Sequence, residues 1–115
     1  MVDEVSLNTE MLEELRELLA DSFNELIDRY LSDSQARFNL LQQAIAEQDF
    51  KVIYYEAHGI KGSSRNMGAN RLAELMGQLE ASGHAQNALN LHEVFTEAQL
   101  EYARVVTGLA SARNA

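Results

Sequence analysis

Residues 88–109 read A-L-N-L-H-E-V-F-T-E-A-Q-L-E-Y-A-R-V-V-T-G-L. Ala88, Leu91, Phe95, Ala98, Tyr102, Val105 and Leu109 recur at intervals of 3, 4, 3, 4, 3 and 4. That alternation lays one apolar seam along a helix. Such a seam belongs in an antiparallel bundle whose helices cross at about 20°. Asn87 is the expected N-cap.

Four more segments read as helices and none as a strand. From about Asn8 to Leu19, Met11, Leu12, Leu15, Leu18 and Leu19 share a face, and Asn8 or Thr9 can cap it. From about Asp21 to Glu47, the stripe is Phe23, Ile27, Tyr30, Ser34, Leu41 and Ile45, widened by Leu26, Leu31 and Phe38. Asp49 caps the next helix, on which Phe50, Ile53, Ala57, Ile60, Ser64 and Met67 repeat, and Gly68 suits a left-handed stop. From Ala69 to Ser82 the stripe is Leu72, Leu75, Met76 and Leu79, with Gly83 expected to end it. Short connections make sequential helices antiparallel neighbours. The expected fold is all-α: an antiparallel up-and-down four-helix bundle with a short additional N-terminal helix. Residues 1–115 form one domain, with flexible ends expected at about 1–6 and 111–115.

Composition agrees. Leu, Ala and Glu supply 44 of 115 residues, Val, Ile and Thr only 13, and proline is absent. Those choices favour unbroken helices over sheet. With no cysteine, disulfides and thiolate-bound metals are excluded. The three histidines have no metal-ligand spacing, so no metal site is expected. The net charge of −9 argues against nucleic acid as partner, because a nucleic-acid binder needs a basic face. No apolar run of spanning length exists, and the acidic start Met1-Val2-Asp3-Glu4-Val5 is unlike a signal peptide. No membrane association and a cytoplasmic location are expected.

The charge is uneven. Residues 1–56 hold 13 acids and 4 bases, whereas residues 57–73 hold Lys61, Arg65 and Arg71 and no acid. A cationic patch is expected there, suited to an acidic partner pocket. His58 stands at its start. Residues 57–69 read A-H-G-I-K-G-S-S-R-N-M-G-A. Ala57, Ile60 and Ser64 face the core, which turns His58 toward water. Lys61 and Gly62 follow three and four positions on, beside it on the same face, and Arg65 extends that face. Gly59 and Gly62 each cost a helix about 1 kcal/mol relative to alanine. The expected use of two missing side chains beside an exposed imidazole is close approach by another molecule. A neutral imidazole is a nucleophile, and Lys61 can balance the charge of an arriving phosphoryl group.

The segment resembles the signature of histidine-containing phosphotransfer (HPt) domains of bacterial phosphorelays, A-H-x-L-K-G-S/A-S/A-x-x-L-G-A, followed by a helix ending in L-E. Ala57, His58, Lys61, Gly62, Ser63, Ser64, Gly68, Ala69 and Leu79-Glu80 match. Gly59, Ile60 and Met76 stand where Ser or Thr, Leu and Cys are common. The resemblance implies a stand-alone phosphocarrier without kinase activity of its own. It makes His58 the phosphoacceptor through Nε2 and Lys61 the group that neutralises the phosphoryl oxygens. Gly62 leaves room for a receiver domain, and Glu80 holds the imidazole through its other nitrogen. Partners would be receiver domains of hybrid sensor kinases and response regulators, with Mg²⁺ in the receiver and no cofactor in this chain. A monomer is expected. Gly59, Gly62, Arg65, Tyr55 and Glu80 are the candidate partner-binding residues.

Plainer readings stand beside these. The same face would serve a non-catalytic helical adaptor, or a receiver phosphatase. His84 is expected in a loop after Gly83, His92 half-buried on the last helix, and Arg71 a solvated base. Of Tyr54 and Tyr55, one is expected in the core and the other, Tyr55, on the docking surface.

Overall fold

The structure is a computed structural model and describes residues 6–113. Five α-helices follow one another: α1 (Thr9–Leu19), α2 (Phe23–Glu47), α3 (Phe50–Asn66), α4 (Asn70–Ala85) and α5 (Leu91–Arg113), with a 3₁₀ turn at Ala20–Ser22. No strand occurs among the described residues. α2, α3, α4 and α5 each pack on the next, and α2 also packs on α5, which closes an up-and-down bundle. The molecule measures 42 × 22 × 17 Å, and its length is that of α2.

The periodic stripes form the core. Phe23, Ile27 and Leu41 of α2, Ile53 and Ile60 of α3, Leu72, Met76 and Leu79 of α4, and Val105 and Leu109 of α5 are almost wholly buried. Burying each such side chain is worth about 1.5–3 kcal/mol, the main driving force for the bundle. The polar members of the stripes pair with each other. Tyr30 and Ser64 share a hydrogen bond of 2.8 Å between α2 and α3, and Ser34 and Tyr102 one of 2.7 Å between α2 and α5. Burial outweighs the Ser64 bond and pushes the Tyr30 hydroxyl well above the usual phenol range.

Local signals account for most boundaries. Asn8 accepts from the Met11 N–H and Asp49 from the Val52 N–H, as N-caps do. Gly68 adopts φ +75° between α3 and α4 and its carbonyl accepts from the Asn8 N–H, which draws the start of α1 over that end of the bundle.

The structure corrects several expectations. Gly83 does not end α4: the helix runs to Ala85 and stops at Gln86, whose φ of 54° is left-handed. Gly83 lies buried against α3, where an added Cβ would stand 2.7 Å from the Tyr54 nitrogen and 2.9 Å from the Phe50 oxygen. It is therefore a packing glycine, and His84 is helical rather than in a loop. Asn87 does not cap α5: its side chain accepts from Leu89 N in the preceding turn, and the helix opens at Leu91 after Asn90 at φ 66°. Ala88 is consequently exposed and outside the seam, and His92 is exposed rather than half-buried. The C-terminal end does not fray at Ser111. Ala112 is buried, its carbonyl accepts from Arg16 at 2.6 Å, and Arg113 grips Asp28 at 2.7 and 2.8 Å. At the other end Ser6 is buried rather than loose. The remainder of the flexible-end expectation, residues 1–5 and 114–115, lies outside the described residues.

Candidate functional site

His58 stands mid-way along α3 with its side chain 62% exposed. The core register of Ile53, Ala57, Ile60 and Ser64 fixes this, because a residue one step from a buried position faces outward. Across the α3–α4 seam, Glu80 lies at 2.5 Å from Nδ1 through Oε2. Its other oxygen, Oε1, accepts from the Lys61 ammonium. Glu80 is only 14% exposed, so the carboxylate sits in the seam and is shared by two groups of α3. Burial alone would push its carboxyl up. The Lys61 and His58 donors outweigh that and hold it below the usual carboxylate range.

An ionised carboxylate can only accept hydrogen bonds. Nδ1 of a neutral His58 must therefore carry the proton, which leaves the lone pair on Nε2. Nε2 makes no hydrogen bond to a described residue. The imidazole is thus oriented from behind with its nucleophilic nitrogen free. Beside it, Gly62 is exposed and a Cβ there would meet nothing within 4 Å. Glu80→Gln should lose stability at neutral pH. Because the folded-state carboxyl is depressed, the wild-type advantage is present above the ordinary glutamate value and lost as pH falls below it. Melting curves of the two proteins taken from about pH 7 to about pH 3 should therefore converge toward acid.

The structure brings His58, Lys61, Gly62 and Glu80 together. It treats the other expected residues differently. Gly59 is not open: the space its side chain would take holds the Arg37 guanidinium, 2.5 Å from an ideal Cβ. Its missing side chain makes room for this chain's own arginine and not for another molecule. Tyr55 is 65% exposed, as a docking residue requires, but Tyr54 is also exposed at 41% and neither is core. Tyr54 stands between two histidine rings, 6.1 Å from His58 and 6.0 Å from His84.

The acid-free stretch does not form the free cationic patch its composition suggests. Lys61 is held by Glu80, and Arg71, though half exposed as a solvated base would be, reaches Glu101 at 3.6 Å. Arg65 alone of the three is exposed without an ion pair to a described residue. Tertiary packing supplies the missing acids from α4 and α5. Sequence reading also missed two buried acids, Glu56 and Glu101. Glu101 is served by Arg104 at 3.1 Å, while its Oε2 is unpartnered. The visible signal for both is that each falls within a buried stripe: Glu56 next to Ala57, Glu101 between Ala98 and Tyr102. No group of side chains suited to a metal ion occurs among the described residues. No described helix is long and apolar enough to cross a membrane.

Comparison with known proteins now bears on this geometry. The Hpt domain family matches residues 25–111. The crystal structure of histidine-containing phosphotransfer protein B (HptB) from Pseudomonas aeruginosa PAO1 is similar, with a TM-score of 0.90 and 28% sequence identity over 95% of each chain. No curated protein sequence matches the chain.

Proposed function

The chain belongs to the Hpt domain family and is a histidine phosphotransfer protein of a phosphorelay, and from that membership we propose that His58 is its phosphoacceptor. The phosphoryl group comes from the aspartyl phosphate of one receiver domain and passes to the aspartate of another. The donor belongs to a hybrid sensor kinase and the acceptor to a response regulator. The observation that carries this reading is the exposed imidazole held by Glu80 through Nδ1 with Nε2 free.

In the forward step the Nε2 lone pair attacks phosphorus in line. A P–N bond forms, the P–O bond to the donor aspartate breaks, and that carboxylate leaves with the bonding pair. The proton stays on Nδ1, where the Glu80 carboxylate balances the positive ring that results. Lys61 turns from Glu80 to the incoming phosphoryl oxygens and neutralises them. In the second step an acceptor carboxylate attacks phosphorus, the P–N bond breaks, and Nε2 recovers its lone pair. A ring held with Nδ1 protonated leaves as neutral imidazole, so Glu80 serves both directions. The open space at Gly62 lets the receiver's acidic pocket reach phosphorus. Mg²⁺ belongs to the receiver in this scheme. The chain acts in the cytoplasm as a monomeric carrier and makes no phosphohistidine from ATP by itself.

The test is incubation with a panel of phosphorylated receivers. An acid-labile, alkali-stable phosphate on this chain, passed on to a second receiver, is expected. Binding without any transfer would make the chain an adaptor, and release of inorganic phosphate without net transfer would make it a receiver phosphatase. Either result contradicts the proposal.

A further inference from the structure

Arg37 of α2 crosses to α3 at the level of His58. An ideal Cβ on Gly59 would stand 2.5 Å from its Nη1, 2.6 Å from its Cζ and 3.0 Å from its Nε. The position next to the candidate nucleophile is therefore filled by a guanidinium from another helix. It is held on several sides. Nε donates to Asp33 at 3.0 Å, Nη1 donates to Glu56 at 3.0 Å, and Cζ lies 5.8 Å from the centre of the Tyr55 ring. The Glu56 side chain is only 10% exposed, so the pair on that side is nearly dry.

This is more apparatus than a surface ion pair needs. A long side chain that would sample many rotamers in water is fixed in one, which removes an ordering cost from any later contact. The fixed fork still has donors to offer. An arginine carries five N–H groups, and Nη2 makes no hydrogen bond to a described residue. The Arg37 side chain keeps 27% of its surface exposed, above the 65%-exposed Tyr55. Lys61 and Glu80 flank His58 on its α4 side, and Arg37 with Tyr55 flanks it on its α2 side.

We infer that Arg37, admitted by Gly59 and seated on Tyr55, is a specificity-determining docking residue whose free Nη2 edge takes a carboxylate on the face of the receiver that engages His58. The inference rests on the phosphocarrier reading above. Because Asp33 and Glu56 already balance its charge, Arg37 acts by directed hydrogen bonding rather than as a diffuse positive field.

The experiment measures transfer from phosphorylated chain to receiver as a function of receiver concentration. Arg37→Gln should raise KM about 10-fold with kcat changed less than about 2-fold. Arg37→Lys, which keeps charge but not the planar fork, should not restore KM. The double variant Arg37→Gln/Glu56→Gln removes both charges together, keeps the fold if Glu56 resents being left alone, and should show the same KM. Gly59→Ala should raise KM in the wild-type background, by displacing the guanidinium, and have no further effect in Arg37→Gln. Unchanged KM in folded Arg37→Gln, full rescue by Arg37→Lys, or an additive effect of Gly59→Ala would each overturn the inference while transfer itself continues. A wild-type chain that takes no phosphate on His58 would instead overturn the carrier reading on which it rests.

Discussion

Replacing His58 by glutamine should abolish phosphoryl relay, lowering the rate by at least about 10³-fold, to the background of the receivers alone. Glutamine is similar in length and can still donate to Glu80, but it offers no lone pair able to form a P–N bond. The fold should survive. The His58 side chain is 62% exposed, and Lys61 remains on Glu80 when it is gone. Substitutions at such positions move stability by about 0.5 kcal/mol or less. The expected pattern is a normal melting temperature, normal binding to receivers and no transfer. A His58→Gln chain that still relays would place the nucleophile elsewhere.

The second large effect concerns stability. Gly62→Ala and Gly83→Ala are the same chemical change in the interior of a helix, yet they should differ in sign. At Gly62 an added methyl meets nothing within 4 Å. Alanine there keeps its propensity advantage of up to about 1 kcal/mol. At Gly83 the methyl would sit 2.7 Å from the Tyr54 nitrogen, 2.9 Å from the Phe50 oxygen and 3.0 Å from the Tyr54 Cα, all backbone atoms. A flexible side chain can yield to such a clash; a neighbouring helix axis has to move. Overpacking of this kind costs about 1–3 kcal/mol or more, which exceeds the propensity gain. Gly83→Ala should thus destabilise by about 1–2 kcal/mol net. Denaturant titration of the two variants beside wild type should put their midpoints on opposite sides of it. Because α3 and α4 also carry His58 and Glu80, Gly83→Ala should loosen the bond at Nδ1 as well.

These two glycines mark the boundary of what the sequence discloses. Repeating positions such as Ile53, Ala57 and Ile60 report a period along one helix, and a period is local. The bundle, its core and the outward turn of His58 were legible for that reason. Lys61 and Gly62 were legible as well, since residues three and four apart share a face. Glu80 entered through the family resemblance, and the structure places it on Nδ1. What sequence cannot carry is which residue of another helix arrives opposite. Gly83 near the end of a stripe reads as a stop until Phe50 and Tyr54 are seen against it. Gly59 reads as space for a visitor until Arg37 fills it. Lys61, Arg65 and Arg71 read as a free patch until Glu80 and Glu101 answer two of them. The start of α5 was misplaced by a related effect. The periodicity continues back to Ala88, but Asn90 at φ 66° breaks the helix that the spacing alone would prolong.

Charge accordingly takes a different meaning at the site. The chain carries a net −9, and the stretch without acids is largely neutralised in place. Recognition of an acidic partner would then depend on a few directed donors around His58 more than on a broad field. Lys61 is the clearest case: its ammonium is held by Glu80, and in the proposed relay it would turn to a phosphoryl group on the neighbouring imidazole.

In the proposed relay His58 carries the phosphoryl group on Nε2, with Nδ1 protonated against Glu80. Phosphorus–nitrogen correlation NMR of the chain, labelled with ¹⁵N at histidine and phosphorylated by a receiver, reads the substituted nitrogen directly. A single phosphohistidine at His58, bonded through Nε2, is expected. Phosphate on Nδ1, on His84 or His92, or on no histidine at all would contradict it.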